Sequence, residues 1–137
     1  MEKYKLTPEE YNNILKKIQL SIIGLDSSKT DLKRDLIDEG MNISVTNESE
    51  FKNEKKGFSA NINLKLLAIN NEKKQVLKIE ASYYVFYEAS VDVSEDFFEI
   101  YKDHGLIINV WPFFREFIFD HTSKMNIKPL TLPLIIK

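Results

Sequence analysis

Two neighbouring segments in the middle of the chain alternate apolar and polar residues over most of their length. The first runs from Phe58 to Leu66 and the second from Leu77 to Tyr87. Short, polar, lysine-rich stretches at 52–57 and 70–74 precede and separate them. A period of two is typical of strands with one buried face, and short turns between strands require antiparallel pairing. The sequence therefore predicts an antiparallel sheet at the centre of the fold.

A second pair of strands is predicted upstream of these two. One begins at Met41 and continues toward Phe51. The other occupies residues 18–25, and its apolar side chains change parity at Gly24, which predicts a bulge or bend there. Residues 26–40 are mostly polar, which predicts a long connection between the two strands.

Helices are predicted before and after the four strands in the sequence. Thr7, Pro8 and Glu10 form a capping-box pattern before a short amphipathic helix. Ser94 is a candidate cap for a helix that Gly105 would end. Asn109 is a candidate cap for a last helix that extends to about Asn126, before two prolines. The order helix, four strands, two helices predicts an α+β fold with the helices packed on the sheet.

Length and composition set limits on the function. The 137 residues predict a single domain, 1–137, and 43% of them are hydrophobic, enough for an ordinary core. The 19 basic and 21 acidic residues give a net charge of -2, which argues against a nucleic-acid binder. The chain has no cysteine, no signal-peptide pattern and no apolar run of about 20 residues, so we expect a soluble cytoplasmic protein.

The last helix carries more apolar surface than one sheet face can cover. At about 100° per residue its apolar side chains span an arc of roughly 160°, and Phe119 stands on the opposite, polar side. The members of this stripe are Val110, Trp111, Phe113, Phe114, Phe117, Ile118 and Met125. The fourth predicted strand adds Tyr84 and Phe86 on its second face. Such a surplus indicates a thick core, self-association, a groove for other polypeptides, or a combination of these.

The segment 105–135 resembles the C-terminal part of SecB, the bacterial protein-export chaperone, and is closer still to the SecB-like chaperones of toxin–antitoxin systems. The resemblance covers about thirty residues and has two parts. An aromatic helix start is formed by Trp111, Pro112, Phe113, Arg115 and Glu116. A proline–leucine tail follows, formed by Pro129, Leu130, Leu132, Pro133 and Leu134.

The resemblance implies a four-stranded antiparallel sheet with C-terminal helices, assembled as a dimer of dimers. It also implies a holdase that binds unfolded or partly folded polypeptides in apolar grooves, without ATP or another cofactor. The clients would be preproteins on the way to export and translocation, or an antitoxin. Exporting members carry a further C-terminal extension that helps to engage the SecA motor, and this chain stops at Lys137. SecA is therefore a weaker expectation than an antitoxin client.

Two sets of residues are predicted to form the binding surfaces. The groove for client polypeptides is predicted from aromatic and branched side chains on the third strand, the fourth strand and the last helix. Its members are Phe58, Ile62, Tyr84, Phe86, Trp111 and Phe114. The oligomer interface is predicted from the surplus apolar arc of the last helix together with Phe119 on its polar side. Its members are Phe113, Phe117, Phe119 and His121.

Two other classes of protein remain as alternatives. An enzyme is disfavoured, because Asp120, His121 and Ser123 on one helix point in directions about 100° apart and cannot converge on one atom. No metal-ligand spacing and no phosphate-binding glycine motif is present in the sequence. A self-associating assembly module without clients would need the same exposed apolar surface as a chaperone. Suppression of aggregation without ATP would separate these two possibilities.

Overall fold

The computed structural model describes residues 6–133. Helix α1 (Pro8–Leu15) leads into strands β1 (Ile18–Leu32), β2 (Asn42–Glu54), β3 (Gly57–Ile69) and β4 (Gln75–Ala89). Helices α2 (Glu95–Tyr101) and α3 (Ile107–Lys124) follow. After α3, residues 128–133 form a tail without helix or strand. The predicted α+β class is confirmed, and so is the four-stranded antiparallel sheet with C-terminal helices.

The strands form one sheet in the order β1-β4-β3-β2, with every neighbouring pair antiparallel. Strands β2, β3 and β4 are consecutive hairpins. Strand β1 lies beside β4, so the connection after β1 crosses from one edge of the sheet to the other. The two edge strands of the described chain are therefore β1 and β2.

One face of the sheet carries the core. Its side chains on β3 and β4 are almost completely buried, and they pack with α2, α3 and Leu132 of the tail. On these two strands they are Phe58, Ala60, Ile62, Leu64, Leu66, Ala68, Leu77, Ile79, Ala81, Tyr83, Val85 and Tyr87. The opposite face, which we call the bare face, carries Asn61, Asn63, Lys65 and Glu80 on the same strands. The alternation in the sequence therefore corresponds to one buried and one largely polar face.

Strand β1 is longer than the sequence predicts. Residues 26–32, which were expected in a connection, continue the strand to Leu32. There Lys29 lies opposite Glu80 and Asp31 lies opposite Lys78, so pairing with β4 compensates for the lack of apolar residues. The register shifts between Leu20 and Ile22 and again between Leu25 and Ser27, and Gly24 lies between the two irregularities.

The junction of the last two helices also differs from the sequence prediction. Gly105 does not end a helix, because a π-helical turn, Lys102–Leu106, joins α2 to α3. A Cβ atom at Gly105 would overlap the ring of Tyr101, so the glycine permits this close approach. Asn109 is not a cap either. Its amide lies inside α3 and donates hydrogen bonds to the hydroxyls of Tyr87 (2.8 Å) and Tyr101 (3.3 Å).

Three other local predictions are confirmed. Thr7 and Glu10 cap α1 reciprocally, and the hydroxyl of Ser94 accepts a hydrogen bond from the backbone N–H of Phe97. Asn126 adopts a left-handed conformation, with a φ of 58°, just after α3. None of the helices among residues 6–133 is long and apolar enough to cross a lipid bilayer.

Candidate polypeptide-binding site

An open cleft of about 560 Å³ lies between α3 and the edge strand β1. Three consecutive residues of β1 form one wall, Tyr83 of β4 lies at the base, and α3 forms the other wall. The lining residues are Ile23, Gly24, Leu25, Tyr83, Phe113, Glu116, Phe117, Phe119 and Asp120. The α3 residues fall near one flank of the helix because residues three, four and seven apart are neighbours on its surface.

The cleft exposes large apolar side chains to solvent. Leu25 is 47% exposed, Phe113 48% and Phe119 49%. Ile23 and Phe117 are partly buried and pack against the core. Single exposed apolar side chains are common on protein surfaces. Here three half-exposed side chains of this size lie together in one concave surface. Such a patch is typical of a site that another polypeptide covers.

The backbone beside the cleft is also available for binding. Strand β1 pairs only with β4, so no other strand of the described chain pairs with its outer edge. An edge of this kind offers hydrogen-bond donors and acceptors to an additional extended strand. Apolar side chains and unpaired backbone groups therefore meet along residues 23–25.

Two acidic side chains form a polar rim around the cleft. Asp120 makes an ion pair of 3.0 Å with Lys124 on the next turn of α3. Burial, and to a lesser extent the negative charge of Glu116, raise the pKa of Tyr83 to about 12. The base of the cleft is therefore a neutral phenol at physiological pH, while its rim carries the carboxyl groups of Glu116 and Asp120, the second of them paired with Lys124.

The structure does not bring the six predicted groove residues together. Four of them are buried in the core between the sheet and the helices: Phe58, Ile62, Trp111 and Phe114. Tyr84 and Phe86 lie half-buried on the bare face, in register with Gly24 and Ile22 of β1. Alternation had shown which side chains share a face, but not which face the helices cover. Only Tyr84 and Phe86 of this set are accessible in the described protomer, and their contact with clients stays a prediction.

The predicted interface residues divide between two surfaces. Phe113, Phe117 and Phe119 line the cleft. His121 lies outside it and stacks on Phe117, with ring centroids 3.8 Å apart. Phe119 also lies within about 20° of Ile108 around the helix axis, on the outer surface of α3. Ile108 is 54% exposed, so two large apolar side chains lie on that outer surface, about three turns apart and with Arg115 between them.

The tail packs along the other flank of α3. The indole N–H of Trp111 donates to the carbonyl of Pro133 (2.8 Å), and the guanidinium of Arg115 donates to the carbonyl of Leu132 (2.7 Å). The hydroxyl of Thr122 accepts a hydrogen bond from the N–H of Leu130 (2.9 Å). None of the tail residues up to Pro133 lines the cleft. Leu134 lies outside the described residues.

Sequence reasoning missed Ile23 and Leu25 as functional candidates. The signal was the change of parity around Gly24, which places apolar residues on both faces of one edge strand. The side chains that suggested a catalytic triad are engaged separately. His121 faces the carbonyl of Phe117 (3.1 Å) and Ser123 donates to the carbonyl of Phe119 (2.8 Å). Residues 6–133 contain no cluster of three metal-ligating side chains.

Comparisons with known proteins support the fold. No protein-family model matches the chain, and no curated protein sequence matches it. The structure is similar to the SecB-like chaperone of Mycobacterium tuberculosis, solved in complex with a ChAD peptide from the HigA1 antitoxin. The TM-score is 0.77 at 18% sequence identity, over 93% of this chain and 97% of that chain.

A protein of unknown function from Streptococcus agalactiae is a more distant structural neighbour. Its TM-score is 0.52 at 12% sequence identity, over 85% of this chain and 97% of that chain. The resemblance found in thirty C-terminal residues thus extends, at the level of the backbone, over nearly the whole chain. The predicted resemblance to the SecB-like chaperones is confirmed at the level of structure, because this chain has their fold.

Proposed function

We propose that this protein is an ATP-independent holdase that binds non-native polypeptides in the cleft between α3 and β1. The observation that carries the proposal is the position of Leu25, Phe113 and Phe119. These three side chains are half-exposed and lie beside an edge strand with an unpaired outer edge in the described chain. A chaperone role is supported by the structural neighbour, which is a chaperone.

The cleft is suited to clients that share little sequence. An unfolded chain exposes apolar side chains and unpaired backbone groups, and the cleft offers partners for both. Backbone pairing along β1 would provide affinity for any extended segment. The aromatic rings of Phe113 and Phe119 would remove apolar client side chains from water and lose few rotamers in doing so. No step of this mechanism consumes a nucleotide.

An antitoxin is the client class that we propose first. The structural neighbour was solved with a peptide from an antitoxin, so that class of polypeptide binds to this fold. A preprotein on the way to export is the second class. Both would present an extended apolar segment to the cleft. Hand-off to SecA is a separate step, for which the described surface provides no specific support.

We further propose that the protomers assemble, as a dimer or a dimer of dimers. Ile108 and Phe119 are large apolar side chains on the outer surface of α3, away from the core, and each is about half-exposed. Burial of these side chains against a second protomer would remove their apolar area from water. Assembly would place several clefts on one particle, and simultaneous binding of one long client by several clefts raises the overall affinity.

The proposal is tested by aggregation assays of a chemically denatured model protein, diluted into buffer without ATP. The wild-type protein should keep the model protein in solution. Replacement of Leu25 with serine should weaken binding of a labelled unfolded client by about 1 kcal/mol, because it removes an apolar contact from the cleft. Replacement of Ile43 with serine is the matched control, since Ile43 is 41% exposed on the other edge strand.

The two variants should have similar melting temperatures, because both side chains are exposed to a similar extent. Equal loss of client binding in both would show that general surface hydrophobicity, not the cleft, holds the client. If the wild-type protein assembles but suppresses no aggregation, it is an assembly module and not a chaperone.

A further inference from the structure

The edge of β1 is divided into three regular sections by two irregularities in its pairing with β4. Leu20 lies opposite Tyr87 and Ile22 opposite Phe86, so Ser21 is an extra residue on β1. Leu25 lies opposite Tyr83 and Ser27 opposite Ser82, so Asp26 is a second extra residue. The regular sections are therefore residues 18–20, 22–25 and 27–32. We call the middle section, residues 22–25, the window.

The two edges of the sheet differ in this respect. Strand β2 pairs with β3 without any register shift from Asn42 to Glu54. Its exposed residues include Glu48, Glu50 and Lys52, and charged side chains discourage the addition of further strands. The window contains only Ile22, Ile23, Gly24 and Leu25, so charge does not protect it. On β1, a register shift borders the window on each side.

The window coincides with the cleft. Three of its four residues, Ile23, Gly24 and Leu25, line the cleft, and no residue of β1 outside the window does so. The section after Asp26 carries Ser27, Ser28 and Lys29, which offer no apolar contact. The section before Ser21 contributes Leu20, which is 40% exposed but does not line the cleft. Backbone pairing along β1 and apolar contacts within the cleft are thus available together only along the window.

We propose that the bulges at Ser21 and Asp26 set the length of client backbone that this protein can pair with, by confining strand addition to the window. The inference rests on the proposed function, and the occupant is one extended segment of a non-native polypeptide. A bulge puts two residues opposite one and interrupts the spacing of outward-facing donors and acceptors. An added strand in register with the window therefore loses register at Ser21 and at Asp26.

This arrangement separates capture of a client from growth of a sheet. An uninterrupted apolar edge would let a client pair over many residues and would present the next edge to another chain. A window of limited length holds each segment by few hydrogen bonds and leaves the rest of the client unpaired. Short pairing also favours release, because each net hydrogen bond contributes only about 1 kcal/mol.

The wild-type protein itself provides the first test. Blocked peptides of alternating leucine and threonine, four to twelve residues long, carry a fluorophore on a constant polar end and are titrated by anisotropy. Affinity should rise with length and level off at about six residues, the window plus one residue on each side. Affinity that continues to rise to twelve residues would overturn the proposal.

Deletion of either extra residue should lengthen the usable edge while every other pair with β4 is kept. Removal of Asp26 joins the window to residues 27–32, and removal of Ser21 joins it to residues 18–20. The length at which affinity levels off should therefore increase in the order wild type, Ser21 deletion, Asp26 deletion. The longest peptide should bind the Asp26 deletion about thirtyfold more tightly than the wild type, as two further hydrogen bonds of about 1 kcal/mol each would give.

The substitution Asp26→Asn is the matched control, since it removes the charge and keeps the bulge, and it should retain the wild-type length limit. A gain in Asp26→Asn equal to that of the deletion would overturn the proposal in favour of charge. Circular dichroism verifies which of the two deletion variants folds. A folded deletion variant with the same length limit as the wild type would also overturn the proposal. A wild-type protein that binds neither the peptides nor a denatured protein would overturn the proposed function itself.

Discussion

Tyr83 links the cleft to the core. Its ring is buried among the residues of the helix-covered face, and its side chain also forms the base of the cleft. The alternation of β4 predicted that Tyr83 shares a face with Val85 and Tyr87. It could not predict the cleft, because the position of α3 over that face depends on contacts distant in sequence. Phe58 and Ile62 were assigned to a groove for the same reason.

The raised pKa of Tyr83 predicts a loss of stability at alkaline pH. The folded pKa of about 12 exceeds the ordinary value of 10.0, so the fold favours the neutral phenol. Its contribution is complete below pH 10 and is lost as the pH rises toward 12. Over that range, the free energy of unfolding should fall by up to about 1.4 kcal/mol per pH unit for this residue.

Burial also raises the pKa values of Tyr87 and Tyr101, so the wild-type protein should lose stability through all three tyrosines. Urea unfolding between pH 9 and about pH 11.5 measures the slope. The substitution Tyr83→Phe should make the slope shallower by up to one proton. Tyr84→Phe, at a half-buried position on the bare face, should change it less. Equal slopes in the wild type and Tyr83→Phe would contradict the assignment.

At the level of elements, the tail is held both by the side chain of Leu132 in the core and through its backbone. Side chains of α3 bind the N–H of Leu130 and the carbonyls of Leu132 and Pro133. The sequence predicted that two prolines would end the helix and keep the tail extended. The anchors were not predictable, because Trp111, Arg115 and Thr122 also fit the ordinary pattern of an amphipathic helix. Similarly, the polar section of β1 was missed because its pairing depends on Glu80 and Lys78 of a distant strand.

Thr122 should be the most sensitive of these anchors. Its hydroxyl donates to the carbonyl of Ile118 and accepts from the N–H of Leu130, and its side chain is fully buried. Thr122→Val should lower the free energy of unfolding by about 1–2 kcal/mol, because the N–H of Leu130 loses its acceptor. Chemical denaturation measures this change.

Ser123→Ala provides the comparison for Thr122→Val. It removes a hydroxyl from the next position of α3, where Ser123 is exposed and donates only to a carbonyl of the helix. Its effect should be close to zero. A tail that is cleaved by protease at the same rate in both variants would show that Thr122 does not anchor it.

At the level of the whole molecule, the proposed assembly of protomers places the outer surface of α3 in an interface. Ile108→Asp should shift the protein toward smaller species, because a charge at this exposed apolar position opposes its burial against another protomer. Phe119→Asp should act in the same direction and should also weaken client binding, since Phe119 lines the cleft. Light scattering across the micromolar range measures the effect.

Ile108→Asp also separates assembly from client capture, because Ile108 does not line the cleft. Ile43→Asp, on β2, controls for a new charge at an exposed apolar position. A wild-type protein that is monomeric at every concentration would refute the assembly proposal. The sequence indicated a surplus of apolar surface on this helix, but its partner is beyond what one chain can specify.

The strand order has a consequence for synthesis on the ribosome. Strand β1 is made first among the four strands, yet its only partner in the described chain, β4, is made last. About 40 residues separate the end of β1 from the start of β4, which is several seconds of translation at about 5–20 residues per second. During that interval the apolar residues of the window have no partner strand. The nascent chain of this protein is thus briefly an unfolded polypeptide with an exposed apolar segment, the same kind of molecule that the finished protein is proposed to bind.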